Sequence, residues 1–126
     1  MKGRTLSVLA LSILVILGSL YWYAVSSKYL VSSEKAKELI RNKQIDVVLD
    51  VRTGLERKTL GLYPGSVHIP GADLETKVPA TYPERATRFL VYCNTGQRAR
   101  AAADTLHRLG YTNTVYIASS HRSLLE

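Results

Sequence analysis

Phe89-Leu90-Val91-Tyr92-Cys93-Asn94-Thr95-Gly96-Gln97-Arg98 decides how this chain is read. The first four residues form a continuous apolar run too short for a helix, the pattern of a strand buried on both faces. A polar, Gly-containing turn follows. From Arg98 to Leu109 come strong helix formers, with Ala99, Ala102, Ala103, Leu106 and Leu109 on one stripe and Gly110 placed to end the helix. Strand, tight loop and helix in this order put the single cysteine, Cys93, where unpaired backbone N–H groups and the positive end of a helix dipole converge. Arg98 and Arg100 are close by in sequence. In such surroundings a thiol acts as a nucleophile. A cysteine that merely fills a core continues an apolar pattern, whereas Cys93 ends one.

Working outward, Val47-Val48-Leu49 is a second buried strand, closed by Asp50. Ahead of it a helix is expected over Lys35 to about Asn42, capped by Ser32 or Ser33, with Glu34 in its first turn and Ala36, Leu39 and Ile40 as its stripe. Gly54 to Gly65 reads as a polar connection, Val67 to Ile69 as a short strand, and Pro70-Gly71 as its stop. Ala72 to Arg88, with Pro79 and Pro83, offers only a helical turn near Leu74, and Val115 to Ile117 is a last strand. Alternating strands and helices of these lengths predict an α/β domain with a mostly parallel central sheet flanked by helices. Ligands of such sheets bind outside the carboxyl ends of the strands, where Asp50 to Arg52 and Cys93 to Arg98 fall.

Leu6 to Val25 is an uncharged, mainly apolar run whose length as a helix matches the roughly 30 Å hydrocarbon core of a bilayer. Tyr21-Trp22-Tyr23 at its far end fits an interfacial aromatic belt, favouring a retained anchor, while Lys2, Arg4 and the small pair Ala24 and Ser26 resemble a signal sequence. The expected organisation is a tail over 1–5, a transmembrane anchor over 6–25, a linker over 26–30 and one domain over 31–126. The signal-like start places that domain outside the cytoplasm; the Lys and Arg count leans towards the cytoplasmic side, so both remain open. One cysteine excludes an intramolecular disulfide and leaves the redox compartment unmarked. The net charge of +7 is scattered, without interleaved aromatic residues or a nucleic-acid motif, so nucleic acid is not an expected partner. An anionic membrane surface or a small anionic substrate suits it better. His107 and His121 lack partners at metal-ligand spacing, so neither a metal nor a cofactor is expected.

Asp50-Val51-Arg52 with Glu56, then Leu62 to Pro70, then Tyr92 to Arg98, then Leu109-Gly110-Tyr111 resemble the rhodanese (sulfurtransferase) homology domain in order and spacing, from about residue 31 onward. The Cys-x-x-Gly-x-Arg loop is the most specific piece. In that family the loop cysteine takes the outer sulfur of thiosulfate or a related donor as a persulfide and passes it to cyanide or a thiol. The resemblance implies Cys93 as nucleophile, the amides of Asn94, Thr95, Gly96, Gln97 and Arg98 as the cradle of the anionic sulfur, and Arg98 as partner of the donor's charge. A carrier protein is a further possible partner. Asp50 is expected to accept loop N–H bonds, and Arg52 either pairs with Glu56 or lines the pocket. His68 is given no catalytic role.

Two other functions are compatible with the residues. Dual-specificity phosphatases of the cell-division type share the fold but place five residues between cysteine and arginine. Here four separate Cys93 from Arg98, a loop better sized for sulfur than for phosphate or arsenate. The other is a tethered module that binds or relays sulfur without efficient turnover. The anchor and the C-terminal end favour it: Ser119-Ser120 stands where members carry a Gly-Gly turn and the sequence stops at Glu126, whereas Leu62 after Gly61, where His is frequent, and Ser66, where Ala is usual, are tolerable changes. The closing helix is therefore expected to be short or absent.

Overall fold

The computed structural model describes residues 2–126. Four strands, β1 (Val47–Asp50), β2 (Val67–His68), β3 (Phe89–Tyr92) and β4 (Val115–Tyr116), form one sheet in the order β2-β1-β3-β4. Every pairing is parallel, with Val47 opposite Phe89, Asp50 opposite Tyr92, Leu49 opposite Val67 and Val91 opposite Tyr116. All four residues of β3 are fully buried, as a strand covered on both faces requires. Phe89, Val91 and Cys93 point into one core with Val78, Ala103 and Leu106, while Leu90 and Tyr92 point into the other with Ala36, Ile117 and Leu124.

Strand order fixes where a site can form. From β1 the chain steps outward to β2, then returns to the opposite side of β1 to lay down β3 and β4. The connections after β1 and β3 therefore leave in opposite directions, opening a crevice at the carboxyl ends of the two central strands. Cys93 stands in that crevice.

Helix α1 (Lys2–Val25) is long and apolar enough to cross a membrane, with a mean hydropathy of 2.2. Its aliphatic side chains from Leu6 to Leu20 are exposed. Its last turn is not free: Ala24 is buried, the Tyr116 hydroxyl donates to the Ala24 carbonyl, and Arg100 Nη1 donates to the Tyr23 carbonyl at 2.6 Å and to Ser26 Oγ at 3.0 Å. The Arg100 guanidinium also lies 4.2 Å from the centre of the Tyr23 ring. Between α1 and the domain, Tyr29 stacks on His107 at 3.6 Å and Leu30 bridges to Tyr116 as a parallel extension of the sheet.

Helix α2 (Ser33–Arg41) starts where Ser32 accepts a hydrogen bond from the Lys35 amide at 3.1 Å. The stretch from Gly54 to Gly65, read as a connection, in fact opens with helix α3 (Gly54–Leu60). Its start is a reciprocal cap in which Thr53 Oγ1 accepts from the Glu56 amide and Glu56 Oε1 accepts from the Thr53 amide. After a 3-10 turn at Gly71–Asp73, helix α4 (Leu74–Thr81) replaces the single turn expected near Leu74. Burial of Leu74 and Val78 outweighs Pro79, which sits in its last turn. Helix α5 (Gln97–Arg108) ends with the Gly110 amide on the His107 carbonyl and the Tyr111 amide on the Leu106 carbonyl, Gly110 taking φ +99°. The last element described is a 3-10 turn, His121–Leu124.

Candidate active site

The loop between β3 and α5 folds back on Cys93. Sγ accepts the Gly96 amide at 3.1 Å and the Ala99 amide at 3.4 Å. Both belong to the unpaired N–H groups that a helix start leaves over. Gly96 is the residue that allows the turn. It holds φ +107°, and a Cβ there would lie 2.8 Å from Ala118 Cα, 2.9 Å from Ala118 Cβ and 3.2 Å from Ala24 Cβ. The last contact brings the end of α1 against the cysteine loop. Gln97 reaches α1 as well, donating from Nε2 to the Leu20 carbonyl at 3.4 Å. Cys93 itself is 1% exposed.

Asp50 organises the crevice beneath the loop. Oδ1 accepts the Arg52 amide at 2.9 Å and Arg52 Nε at 3.0 Å, while Oδ2 accepts Arg52 Nη2 at 2.8 Å, Arg57 Nη1 at 3.0 Å and the Tyr92 hydroxyl at 2.8 Å. Burial alone would raise the Asp50 pKa; the bonds from Arg52, Tyr92 and Arg57 outweigh it and bring the carboxyl below its ordinary range. Tyr92 moves the other way, chiefly through burial, and stays a donor. Asp50 and Arg52 are both fully buried, and such a pair holds only when its remaining donors and acceptors are satisfied. Arg52 meets that condition by donating to the Gly61 carbonyl at 2.7 Å and to Asn94 Oδ1 at 3.3 Å. Of the two roles open to Arg52, pairing with Glu56 is not realised, because Asp50 takes its guanidinium.

Glu56 turns instead to the cysteine loop. Its carboxylate accepts Arg98 Nη1 at 2.7 Å, Arg98 Nη2 at 2.8 Å and Asn94 Nδ2 at 2.7 Å, tying the two ends of the loop together. The Arg98 hydrogen bonds hold Glu56 well below the usual carboxylate range. In return Glu56 raises Arg98. The arginine expected to meet a donor's charge thus has a bidentate carboxylate on it. Beside it a cleft of about 410 Å³ is lined by Val51, Pro70, Leu74, Arg98 and Ala102.

Thus Cys93, Asn94, Gly96 and Arg98 converge with Asp50, Arg52 and Glu56 in one crevice. Thr95 instead donates through its hydroxyl to the Gln97 side chain, which turns towards α1. His68 Nε2 lies 2.6 Å from the Arg52 carbonyl, a contact that orders the strand end. Among the described residues no cluster of His, Cys, Asp or Glu has the geometry to hold a metal ion. Sequence reasoning missed Arg57, Tyr92 and Ala24. Arg57 and Tyr92 could have been suspected, because a buried carboxylate needs several donors; for Ala24 no signal of a contact existed.

Fold and loop together define an α/β domain with a buried free cysteine at a helix N-terminus, set at the switch point of a parallel sheet. The Rhodanese-like domain family matches residues 32–120, and the chain belongs to that family of sulfurtransferases. A mouse thiosulfate sulfurtransferase/rhodanese-like domain-containing protein 3 is 29% identical over 99 residues, covering 70% of this chain and 62% of the mouse protein. This chain thus spans less than two thirds of that relative's length. The human single-domain sulfurtransferase TSTD1 superposes with a TM-score of 0.65 at 25% identity, over 79% of this chain and 96% of that one. A Rhodopseudomonas palustris protein of unknown function, described as a possible tyrosine phosphatase, gives 0.70 at 24% identity over 86% and 87% of the two chains, a likeness of fold.

Proposed function

We propose that the chain is a membrane-anchored sulfurtransferase that moves sulfane sulfur from thiosulfate or a related anionic donor to a thiol or cyanide through a persulfide on Cys93. One observation carries the proposal: Cys93 Sγ sits at the start of α5 with the Gly96 and Ala99 amides directed at it. The Cys93 thiolate attacks the outer sulfur of thiosulfate, the S–S bond breaks, and sulfite leaves with the electron pair. The outer sulfur of the persulfide then accepts the electron pair of an incoming thiolate or cyanide, and Cys93 departs as thiolate. In both steps charge develops on sulfur inside the loop, where fixed N–H dipoles of Asn94 to Arg98 stabilise it without reorganising. Asp50, Arg52 and Glu56 hold the loop's shape.

What supports a retained anchor over residues 6–25, rather than a cleaved signal, is the bonding of Tyr23 and Ala24 to Arg100 and Tyr116. The domain over 31–126 is assigned to the extracytoplasmic side on the signal-like start. A membrane-impermeant thiol reagent applied to intact cells tests the side, since Cys93 is the only thiol.

A second reading, sulfur relay between protein partners without steady turnover, is favoured by the burial of Cys93 and by the engagement of Arg98 with Glu56. Mass spectrometry after thiosulfate treatment separates the possibilities. A gain of one sulfur, abolished by Cys93→Ala and accompanied by steady thiocyanate formation, is the expected result; a gain without turnover selects the relay. No gain at all refutes both.

A further inference from the structure

Helices α1 and α5 run in the same sense where they touch. Leu20 lies level with Gln97, Tyr23 with Arg100 and, further on, Tyr29 with His107. Since α5 descends from the carboxyl ends of the strands, the free turns of α1 rise past the cysteine loop on that same side of the sheet. Tyr21, Trp22 and Tyr23, which mark the boundary between water and lipid in the anchored reading, stand within one helical turn of the contact between Ala24 and Gly96. The face that carries the cysteine loop is therefore the face turned to the lipid, with no spacer between them.

That face carries exposed apolar side chains. Outside α1, the large hydrophobic residues exposed among the described residues are Leu55, Leu60, Leu62 and Leu125. A single exposed leucine is ordinary, but Leu55 at 70%, Leu60 at 46% and Leu62 at 38% exposure fall in and just after one short helix, α3. Each stands beside the crevice. Leu55 precedes Glu56, whose carboxylate holds Asn94 and Arg98; Leu60 shares a cleft with Asn94 and Arg122; Leu62 precedes Tyr63, whose amide donates to the Tyr92 hydroxyl at 3.2 Å. The charges around them are basic on balance. Asp50 and Glu56 are taken up by Arg52, Arg57 and Arg98, whereas the exposed Lys58 and Arg122 form no ion pair among the described residues. His121 adds no charge at pH 7, its pKa being lowered by burial first and then by the charges of Arg52 and Arg122. Apolar side chains interspersed with free bases are the composition of a surface that rests at a lipid headgroup boundary.

We propose that α3 and the segment after it dock on the anionic surface of the bilayer that α1 enters, with Leu55, Leu60 and Leu62 reaching into the headgroup boundary and Lys58 and Arg122 meeting lipid phosphates. The proposal rests on the reading of α1 as a retained anchor. It does not depend on sulfur transfer, since none of these five side chains acts on Cys93.

The test attaches a nitroxide label, one site at a time, at Leu55→Cys, Leu62→Cys, Thr112→Cys or Leu14→Cys in the full chain carrying Cys93→Ala, reconstituted in nanodiscs of phosphatidylcholine and phosphatidylglycerol. All four positions are exposed, so the labels displace no packing; Thr112 lies before β4, at the amino ends of the strands. Collisions with oxygen, which concentrates in lipid, and with a nickel chelate, which stays in water, report the depth of each label. Labels at Leu55 and Leu62 are expected to favour oxygen, Thr112 the chelate, and Leu14 oxygen more strongly still. Lys58→Gln should raise the undocked fraction read at Leu62 about fivefold, the worth of one basic contact with an anionic surface, and change nothing in phosphatidylcholine alone. Labels at Leu55 and Leu62 that behave like Thr112 while Leu14 stays in lipid overturn the docking, spare the anchor and leave the leucines to a protein partner. A Leu14 label in water overturns the anchor, and the docking with it. Protection seen only with two chains per nanodisc reports self-association and overturns the proposal, as does a Lys58→Gln chain that docks on the anionic bilayer as well as its parent.

Discussion

Gly96→Ala should damage the site and the attachment of α1 together. Gly96 holds φ +107°, where a side chain is disfavoured by about 1–2 kcal/mol. The new methyl would also lie 2.8 Å and 2.9 Å from Ala118 Cα and Cβ and 3.2 Å from Ala24 Cβ. Part of that crowding is with backbone, so relief needs the loop after β4 to move, an overpacking cost of about 1–3 kcal/mol. The two effects sum to roughly 2–5 kcal/mol, which for a domain of about 100 residues lowers Tm by about 8 °C or more. Thermal unfolding in detergent, followed by circular dichroism, reads this directly, and persulfide yield on Cys93 should fall as the Gly96 amide leaves the sulfur. Ala24→Gly in the Gly96→Ala background removes one of the three contacts, so a double-mutant cycle should give a coupling of about 0.5 kcal/mol or more. A Tm within about 2 °C of the parent, or a coupling indistinguishable from zero, would refute the claim that α1 ends against the cysteine loop.

Asp50→Asn leaves Arg52 buried without its counter-charge and should cost about 3–5 kcal/mol in urea unfolding; a loss under about 1 kcal/mol would mean the cluster is not the keystone described. Glu56→Gln removes a partly exposed ion pair, so stability should change by about 1 kcal/mol or less. Yet it frees Arg98, and KM for thiosulfate should drop; an unchanged KM would show that the anion does not reach Arg98. His121 gives the pH dependence. Its folded pKa lies below the unfolded value, so the unfolded chain binds more protons in the window between them. Its contribution is complete above the unfolded value of about 6.5 and is lost as pH falls through the folded pKa, with a slope of at most about 1.4 kcal/mol per pH unit. His121→Phe should flatten that slope in denaturant titrations across pH, and an identical profile in the variant would contradict the assignment.

Where sequence and structure agree, the reason is local. β3 and α5 were legible because a short apolar run, a glycine turn and a helix stripe each have a physical reading that needs no distant partner. Ser32 and Gly110 marked helix ends for the same reason. α3 carried its own signal in Thr53-x-x-Glu56, but glycines and a proline downstream masked so short a helix. α4 was hidden by Pro79, whose cost is outweighed by burying Val78 under α5. The partners of the arginines were not legible at all. Arg98 meets Glu56 across 42 positions and Arg100 meets Tyr23 across 77, and only the parallel order of the strands brings them together. In the same way an apolar run gives no hint which of its residues faces protein, so Ala24 stood out only as half of a small pair and not as a contact.

The attachment of α1 to α5 and β4 has a mechanical consequence. A domain on a flexible tether sweeps a volume set by tether length and meets partners at many heights. Here the chain has no slack: Ala24, Ser26, Tyr29 and Leu30 are each already bonded or packed to the domain. In the anchored reading the helix therefore acts as a ruler, setting both the height of Cys93 above the lipid and the direction its loop faces. Lengthening α1 by one turn would displace the loop by about 5.4 Å. Such an insertion should leave a diffusing anion indifferent and disable any membrane-bound acceptor that meets the loop at one fixed level.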